Sequence, residues 1–222
     1  MLQGEWSIFV TRVVVGIIAG SLFWGVYFFM PAFYFALLLG IIVAIIALFE
    51  WKNIYDPHTR WFWLMFPIYP LMPFVLLIYL SLVPAYNILL LYLFVLAFAH
   101  DTGAYIVGTL LGRHKIWPSV SPKKTWEGVA GGLVATVVSL YILFTSRSVP
   151  LSWSFTLGCT GIASFLFVTG DLIESRFKRR VGIKDSGHLL PGHGGLLDRF
   201  DGIMFAAFFV YLFRDYAVCF LK

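Results

Sequence analysis

Charge is what this chain has least of. Of its 222 residues only 12% are charged, against 60% hydrophobic and 19% aromatic, whereas a soluble domain of this length carries roughly 25% charged residues. Too little polar surface remains to face water on all sides, which excludes an ordinary soluble fold. Cysteine is scarce too: Cys159 and Cys219 sit inside apolar runs rather than in a loop framework, so no disulfide is implied. The opening MLQGEWSIFVTRVVVG lacks the basic start and small-residue cleavage site of a secretory signal, so the first apolar run is expected to be kept as a span. Neither an internal repeat nor a low-complexity tract is visible, which gives no hint of the inverted-repeat layout of many transporters. No Cys partner or H-E-x-x-H pattern accompanies His188 and His193. A zinc site is therefore not favoured, and hydrogen-bonding, phosphate-contacting and plain turn roles stay open for both.

What the chain does have is apolar length. Seven segments read as spanning helices: 13–30, 31–50, 61–83, 87–112, 126–145, 152–172 and 196–217, most of them close to the roughly 20 residues that cross a hydrocarbon core of about 30 Å. The expected fold class is all-α, a polytopic transmembrane helical bundle of about seven spans. It forms one integral membrane domain over 1–222, with N-terminal spans over 13–83 and a C-terminal catalytic part over 87–217. Pro67, Pro70 and Pro73 fall inside the third segment, which should be kinked or broken where neighbours satisfy the freed carbonyls.

Alternating the connections between two sides gathers Arg12, Lys52, Arg60, Arg113, Lys115, Lys123, Lys124, Arg176, Lys178, Arg179, Arg180, Lys184 and Arg199 on one face. Only Arg147, Arg214 and Lys222 fall opposite. That asymmetry makes the basic face cytoplasmic, with the N-terminus inside, and accounts for the net charge of +5 without nucleic acid. The polar loops 113–125 and 173–195 then open to the compartment that holds nucleotides. Trp51, Trp61, Trp63, Trp117 and Trp126 cluster near span ends on that side, as an interfacial belt would.

Eleven of the 27 charged residues crowd into the stretch from Asp171 to Asp201. Asp171 closes one span beside Gly170, while Asp198 and Asp201, three apart on one helical face, open the next. Should those helix ends be adjacent, three carboxylates converge at the membrane surface, the oxygen ligand set that Mg²⁺ prefers. The bases between them, Lys178, Arg179, Lys184 and Arg199 included, suit phosphate oxygens. Pro191-Gly192-His193-Gly194-Gly195 leaves backbone amides bare enough to approach a phosphate at a helix start, although for the pentapeptide in isolation a flexible hinge into the helix is the better reading.

A second constellation is Ser121-Pro122-Lys123-Lys124-Thr125-Trp126-Glu127-Gly128. Ser then Pro reads as an N-cap and first helical residue, and two lysines in a first turn oppose the helix dipole, so an anion is expected there, either a substrate phosphate or lipid headgroups. A third is Asp101 in His100-Asp101-Thr102-Gly103-Ala104-Tyr105, roughly 16 Å deep if its helix is continuous. An acid at that depth should face a polar cavity and is a functional candidate, unless the helix ends near residue 100 or an interior base pairs with it.

On these residues the sequence resembles a known family. Ser175-Arg176-Phe177-Lys178-Arg179, Lys184-Asp185, Gly187, Leu190-Pro191, His193-Gly194-Gly195-Leu196 and Asp198-Arg199-Phe200-Asp201 are similar, position for position, to the signature of phosphatidate cytidylyltransferases, also called CDP-diacylglycerol synthases. The stretches 121–128 and 101–105 look like that family as well, so the resemblance covers roughly the C-terminal half. It implies an enzyme that moves the cytidylyl group of CTP onto phosphatidate with divalent metal, giving CDP-diacylglycerol and pyrophosphate. Asp171 and Asp198 match the acidic metal ligands, with Asp201 beside them. Lys123, Lys124, Lys178, Arg179 and Lys184 match positions that contact phosphates. Ser121, Thr125, His193, Gly194, Gly195, Arg199 and Asp101 are expected to line the substrate site, with Lys184 and Asp201 among the catalytic groups. Mg²⁺ is the expected cofactor, a second cation staying open. CTP and membrane phosphatidate are the expected partners, with no nucleic acid and a homodimer as the resemblance suggests, in a bacterial inner membrane.

Three rival readings keep the membrane setting. A related CTP-dependent enzyme acting on an archaeal ether lipid or a polyprenol would share the nucleotide site and change only the apolar groove. A CDP-alcohol phosphatidyltransferase would need a D-G-x2-A-R run that is missing here. A transporter would string its charges along a path through the bilayer, whereas these gather on one face.

Overall fold

Prolines mark where the helices begin. In the computed structural model, which describes residues 2–147, 149, 152–191 and 194–221 (the side chains of residues 2–9 and Arg12 excepted), α1 (Leu2–Phe29) stops just ahead of Pro31, and Pro31 caps α2 (Ala32–Ile45) with extended angles, φ −53° and ψ 147°. Val83 likewise takes φ −90° and ψ 112° before Pro84 opens α6 (Pro84–Leu110), as expected of a residue that the following ring pushes away from helix. Between these points α2 runs through a π-helical turn, Ile46–Glu50, into α3 (Trp51–Ile54). Helix α4 (Arg60–Phe66) continues through a second such turn, Pro67–Leu71, into α5 (Met72–Leu82). The expected break in that span is present: Tyr69 leaves helical geometry at φ −151° and ψ 111°, and the Tyr69–Pro70 bond is cis.

Downstream come a two-stranded antiparallel hairpin of β1 (Lys115–Trp117) and β2 (Ser121–Thr125), then α7 (Trp126–Ser146), α8 (Trp153–Arg180), α9 (Leu197–Leu212) and α10 (Arg214–Phe220). Among the described residues five helical segments are long and apolar enough to cross a membrane. The pair α9 and α10, bent by 78°, makes a sixth if it counts as one broken span, and α1 adds a shorter apolar stretch, Val13–Phe29. The chain is an integral, multi-pass, all-α membrane protein, consistent with about seven spans. Large apolar side chains such as Ile17, Phe29 and Leu212 lie exposed, which lipid tolerates and water would not.

The chain divides into two compact units, Met1–Val83 with Phe177–Phe200, and Pro84–Arg176 with Asp201–Lys222. In the first, α2 packs on α5. Phe35, Leu39, Ile42 and Ile46 recur at helical spacing along one buried stripe, opposite buried Phe74, Leu77 and Leu80. Trp51 departs from the expected belt: it is fully buried and its Nε1 donates to the Phe62 carbonyl at 3.3 Å, while Trp61 and Trp63 remain exposed. In the second unit α6 packs closely on α7. A Cβ on Gly103 would stand 2.6 Å from both Ala135 Cβ and the Gly131 carbonyl oxygen. Small residues at such a crossing let backbones approach where lipid provides no hydrophobic drive.

The stretch Ser121–Thr125 corrects one expectation. Ser121 and Pro122 do not start a helix; they lie in β2, and Thr125 is the N-cap of α7, its Oγ1 accepting from the Gly128 amide at 3.1 Å. Pairing with β1 competes successfully with the local N-cap signal, because it occupies the backbone groups that a helix start at Ser121 would have used.

Candidate functional site

Asp198 is the centre of the polar cluster in the first unit. Its Oδ1 accepts from Lys178 Nζ at 2.6 Å, both oxygens accept from the Ser186 amide, at 3.2 and 3.0 Å, and Oδ2 takes the Gly195 amide at 2.8 Å. The pair is buried, and Asp198 stands in the first turn of α9, where a carboxylate suits the helix dipole. Gly194 has φ +80°, and a Cβ there would sit 2.7 Å from Asp198 Oδ2, so only glycine fits beside this carboxylate.

Of the amides expected to face a phosphate, that of Gly195 is thus taken by Asp198, and at the helix start a second carboxylate, not legible as a site residue, takes two more. Glu50, only 1% exposed, accepts from the Leu196 amide at 2.7 Å, the Leu197 amide at 2.8 Å and Ser186 Oγ at 3.0 Å. Asn53 Nδ2 adds a bond to the Ser186 carbonyl at 2.8 Å. The one signal available in the sequence was an acid closing an apolar run, which marks a candidate by default.

The second unit carries another acid and lysine pair. Lys124 Nζ is ion-paired to Asp171 Oδ2, and Ser175 Oγ donates to Asp171 Oδ1 at 3.1 Å. The carbonyl oxygen of Asp201 would lie 2.6 Å from a Cβ on Gly170, so α8 and α9 meet closely beside Asp171. Asp171, Glu174, Asp101 and Lys124 all lie within electrostatic reach of Asp201. Helix α6 is continuous through Asp101, whose side chain is 77% exposed, with His100 Nδ1 3.8 Å from Oδ1. Glu127 ties the hairpin to α7 by accepting from the Arg113 and His114 amides and from His114 Nδ1 at 2.5 Å. Arg176 lies 5.3 Å over the Trp117 ring.

Among the other expected residues, Lys123, Lys184 and Arg199 are exposed, Ser121 is half-buried at the paired edge of β2, and Arg179 Nη1 turns back to the Ile183 carbonyl at 2.7 Å. His188 is exposed, and His193 with Gly192 lies outside the described residues. Among the described residues no group of three or more His, Cys, Asp or Glu side chains stands ready to hold a metal ion. The arrangement offers instead two carboxylates, Asp171 and Asp198, each neutralised by a lysine. Such pairs can exchange one cation for another, or release an ammonium to a phosphate.

Comparison with known proteins agrees with the sequence signature. The family model described as the cytidylyltransferase family matches residues 52–217. A phosphatidate cytidylyltransferase of Staphylococcus haemolyticus is 48% identical over 116 residues, 52% of this chain and 45% of that relative. Those of Staphylococcus aureus (strain COL) and Staphylococcus epidermidis are 47% and 45% identical over the same lengths. The chain therefore spans about half the length of the curated relatives it matches. Because the family model covers most of the chain, including both acid and lysine pairs, the chain belongs to the cytidylyltransferase family.

Proposed function

We propose that the protein transfers the cytidylyl group of CTP to phosphatidate, forming CDP-diacylglycerol and pyrophosphate at the cytoplasmic face of a bacterial inner membrane. The observation that carries this reading is the pairing of Lys124 with Asp171 and of Lys178 with Asp198 within a signature that resembles the enzymes named above. The reaction asks for no covalent intermediate. A phosphate monoester has a second pKa of about 6, so the phosphatidate headgroup is already a nucleophile near neutrality. It attacks the α-phosphorus of CTP, the new P–O bond forming as the bond to pyrophosphate breaks. The barrier is repulsion between anions and charge growing on the leaving group, which positioning and fixed cations lower.

Lys123, Lys124, Lys178, Arg179, Lys184 and Arg199 supply those cations, while on resemblance Ser121, Thr125, His193, Gly194, Gly195 and Asp101 line the substrate site. Asp171, Asp198 and Asp201 would hold Mg²⁺. The donor chemistry fits, since the structure already sets an ammonium group against each of the first two and carboxylate oxygens are the ligands a hard cation takes. When bound, such an ion would neutralise charge on the phosphates. An ion held at Asp171 or at Asp198 would take the place of the ammonium group now paired with that carboxylate, Lys124 or Lys178. The reading includes a homodimer and no nucleic-acid partner, on resemblance alone.

The test is the purified protein in lipid vesicles with CTP, phosphatidate and Mg²⁺, assayed for pyrophosphate and CDP-lipid. Both products are expected, and both should vanish in Asp171→Asn combined with Asp198→Asn. Product from a polyprenyl or ether lipid phosphate but from no phosphatidate would favour the other lipid enzyme.

A further inference from the structure

We infer that Glu50 is a positioning residue for this reaction, holding the loop before α9 and thereby Asp198 in register; the inference rests on the cytidylyl-transfer reading above. Glu50 lies outside the family match, which begins at residue 52, so nothing in the signature points to it. Burial to 1% exposure is costly for a carboxylate unless donors surround it. Three do, all from the far end of the chain: Ser186 Oγ, Leu196 N and Leu197 N, at separations of 136, 146 and 147 residues.

Ser186 connects the two acids. Its hydroxyl donates to Glu50, its amide to Asp198, and its carbonyl receives Asn53. The glycines of the loop are moulded on the same carboxylate: a Cβ on Gly187 would come within 3.0 Å of Glu50 Cγ, and one on Gly195 within 2.6 Å of Glu50 Oε2. The π-helical turn that ends at Glu50 inserts an extra residue into the helix, a device that re-aims a side chain and recurs at functional sites. Glu50 therefore acts from a distant helix as the acceptor that the first α9 amides lack. Without it those amides lose their partners, the first turn frays, and Asp198 loses the frame that fixes its carboxylate.

The experiment uses the full chain in lipid nanodiscs, as wild type, Glu50→Gln, Glu50→Asp and Ser186→Ala. One readout needs no activity: the rate of trypsin cleavage after exposed Lys184, identified by mass. The other is kcat and KM for CTP and phosphatidate. Glu50→Gln places an amide NH₂ against backbone N–H groups. Cleavage should rise about tenfold and kcat fall about 10- to 100-fold, with KM values moving less than about threefold, the scale of a misplaced reacting group. Glu50→Asp keeps the charge and should recover part of both, and Ser186→Ala should move both in the same direction by less. Wild-type kcat and cleavage in folded Glu50→Gln, whatever its melting temperature, would reduce Glu50 to a fold anchor and overturn the inference. If Glu50→Gln fails to insert, wild-type values for Ser186→Ala overturn it equally. A wild-type protein that makes no CDP-lipid defeats the functional reading, while the cleavage rates still decide whether Glu50 holds the loop.

Discussion

Lys178 donates from Nζ to Oδ1 of Asp198 at 2.6 Å, with the two side chains only 7% and 8% exposed. Removing one member strands a buried charge, so Lys178→Met should destabilise the protein by about 3 kcal/mol and abolish CDP-lipid formation. Lys178→Arg should restore part of the stability and little activity, because a planar fork replaces a point charge. Unfolding in mild detergent and a product assay check both.

The Lys124 and Asp171 pair is more open, at 24% and 33% exposure, and its predicted signature is the reverse. Asp171→Asn and Lys124→Ala should each cost about 1 kcal/mol of stability or less while lowering kcat/KM by about 100-fold or more. Because the two groups serve one site, the double variant should lose far less than the product of the single losses. A strictly multiplicative result would separate their roles.

Gly194→Ala should be more damaging than an exposed loop substitution has any reason to be. A positive φ and a Cβ lying 2.7 Å from Asp198 Oδ2 act together, and backbone strain of this kind costs about 1–3 kcal/mol before the clash is counted. Thermal unfolding should drop accordingly, and trypsin cleavage after Lys184 should accelerate. Gly182, also at positive φ but with open space around its Cβ, is the control that carries strain without the clash.

Thr125→Val should lower stability by about 1 kcal/mol through loss of the α7 N-cap, and Thr125→Ser should restore most of it. Ser121→Ala, at the position where sequence alone would put the cap, should leave the melting temperature unchanged within error. The pair of measurements tells strand from helix start in the hairpin.

The spans were legible because hydrophobic length is a local property of the chain, and the break at Pro67–Leu71 was legible because proline acts on its own backbone. The acid and lysine chemistry was readable from the signature, but the pairing was not, since Lys124 meets Asp171 across 47 positions and no local pattern encodes which lysine does so. The hairpin was missed for the opposite reason: a strong local signal at Ser121-Pro122 was overridden by strand pairing with Lys115–Trp117. Glu50 was missed altogether. A single acid at the end of an apolar run gives no periodicity and no motif, and its meaning appears only when donors more than a hundred positions later arrive around it.

That delay has a consequence for biosynthesis. Helices enter the membrane in the order in which they leave the ribosome, so the α2 to α3 segment is in place while the donors for Glu50 do not yet exist. Ser186 is 136 residues further on, which at about 5–20 residues per second means a wait on the order of ten seconds. For that interval the nascent chain carries an acid at the end of a span with none of its final partners. The first unit can therefore close around Glu50 only when the loop before α9 has been made.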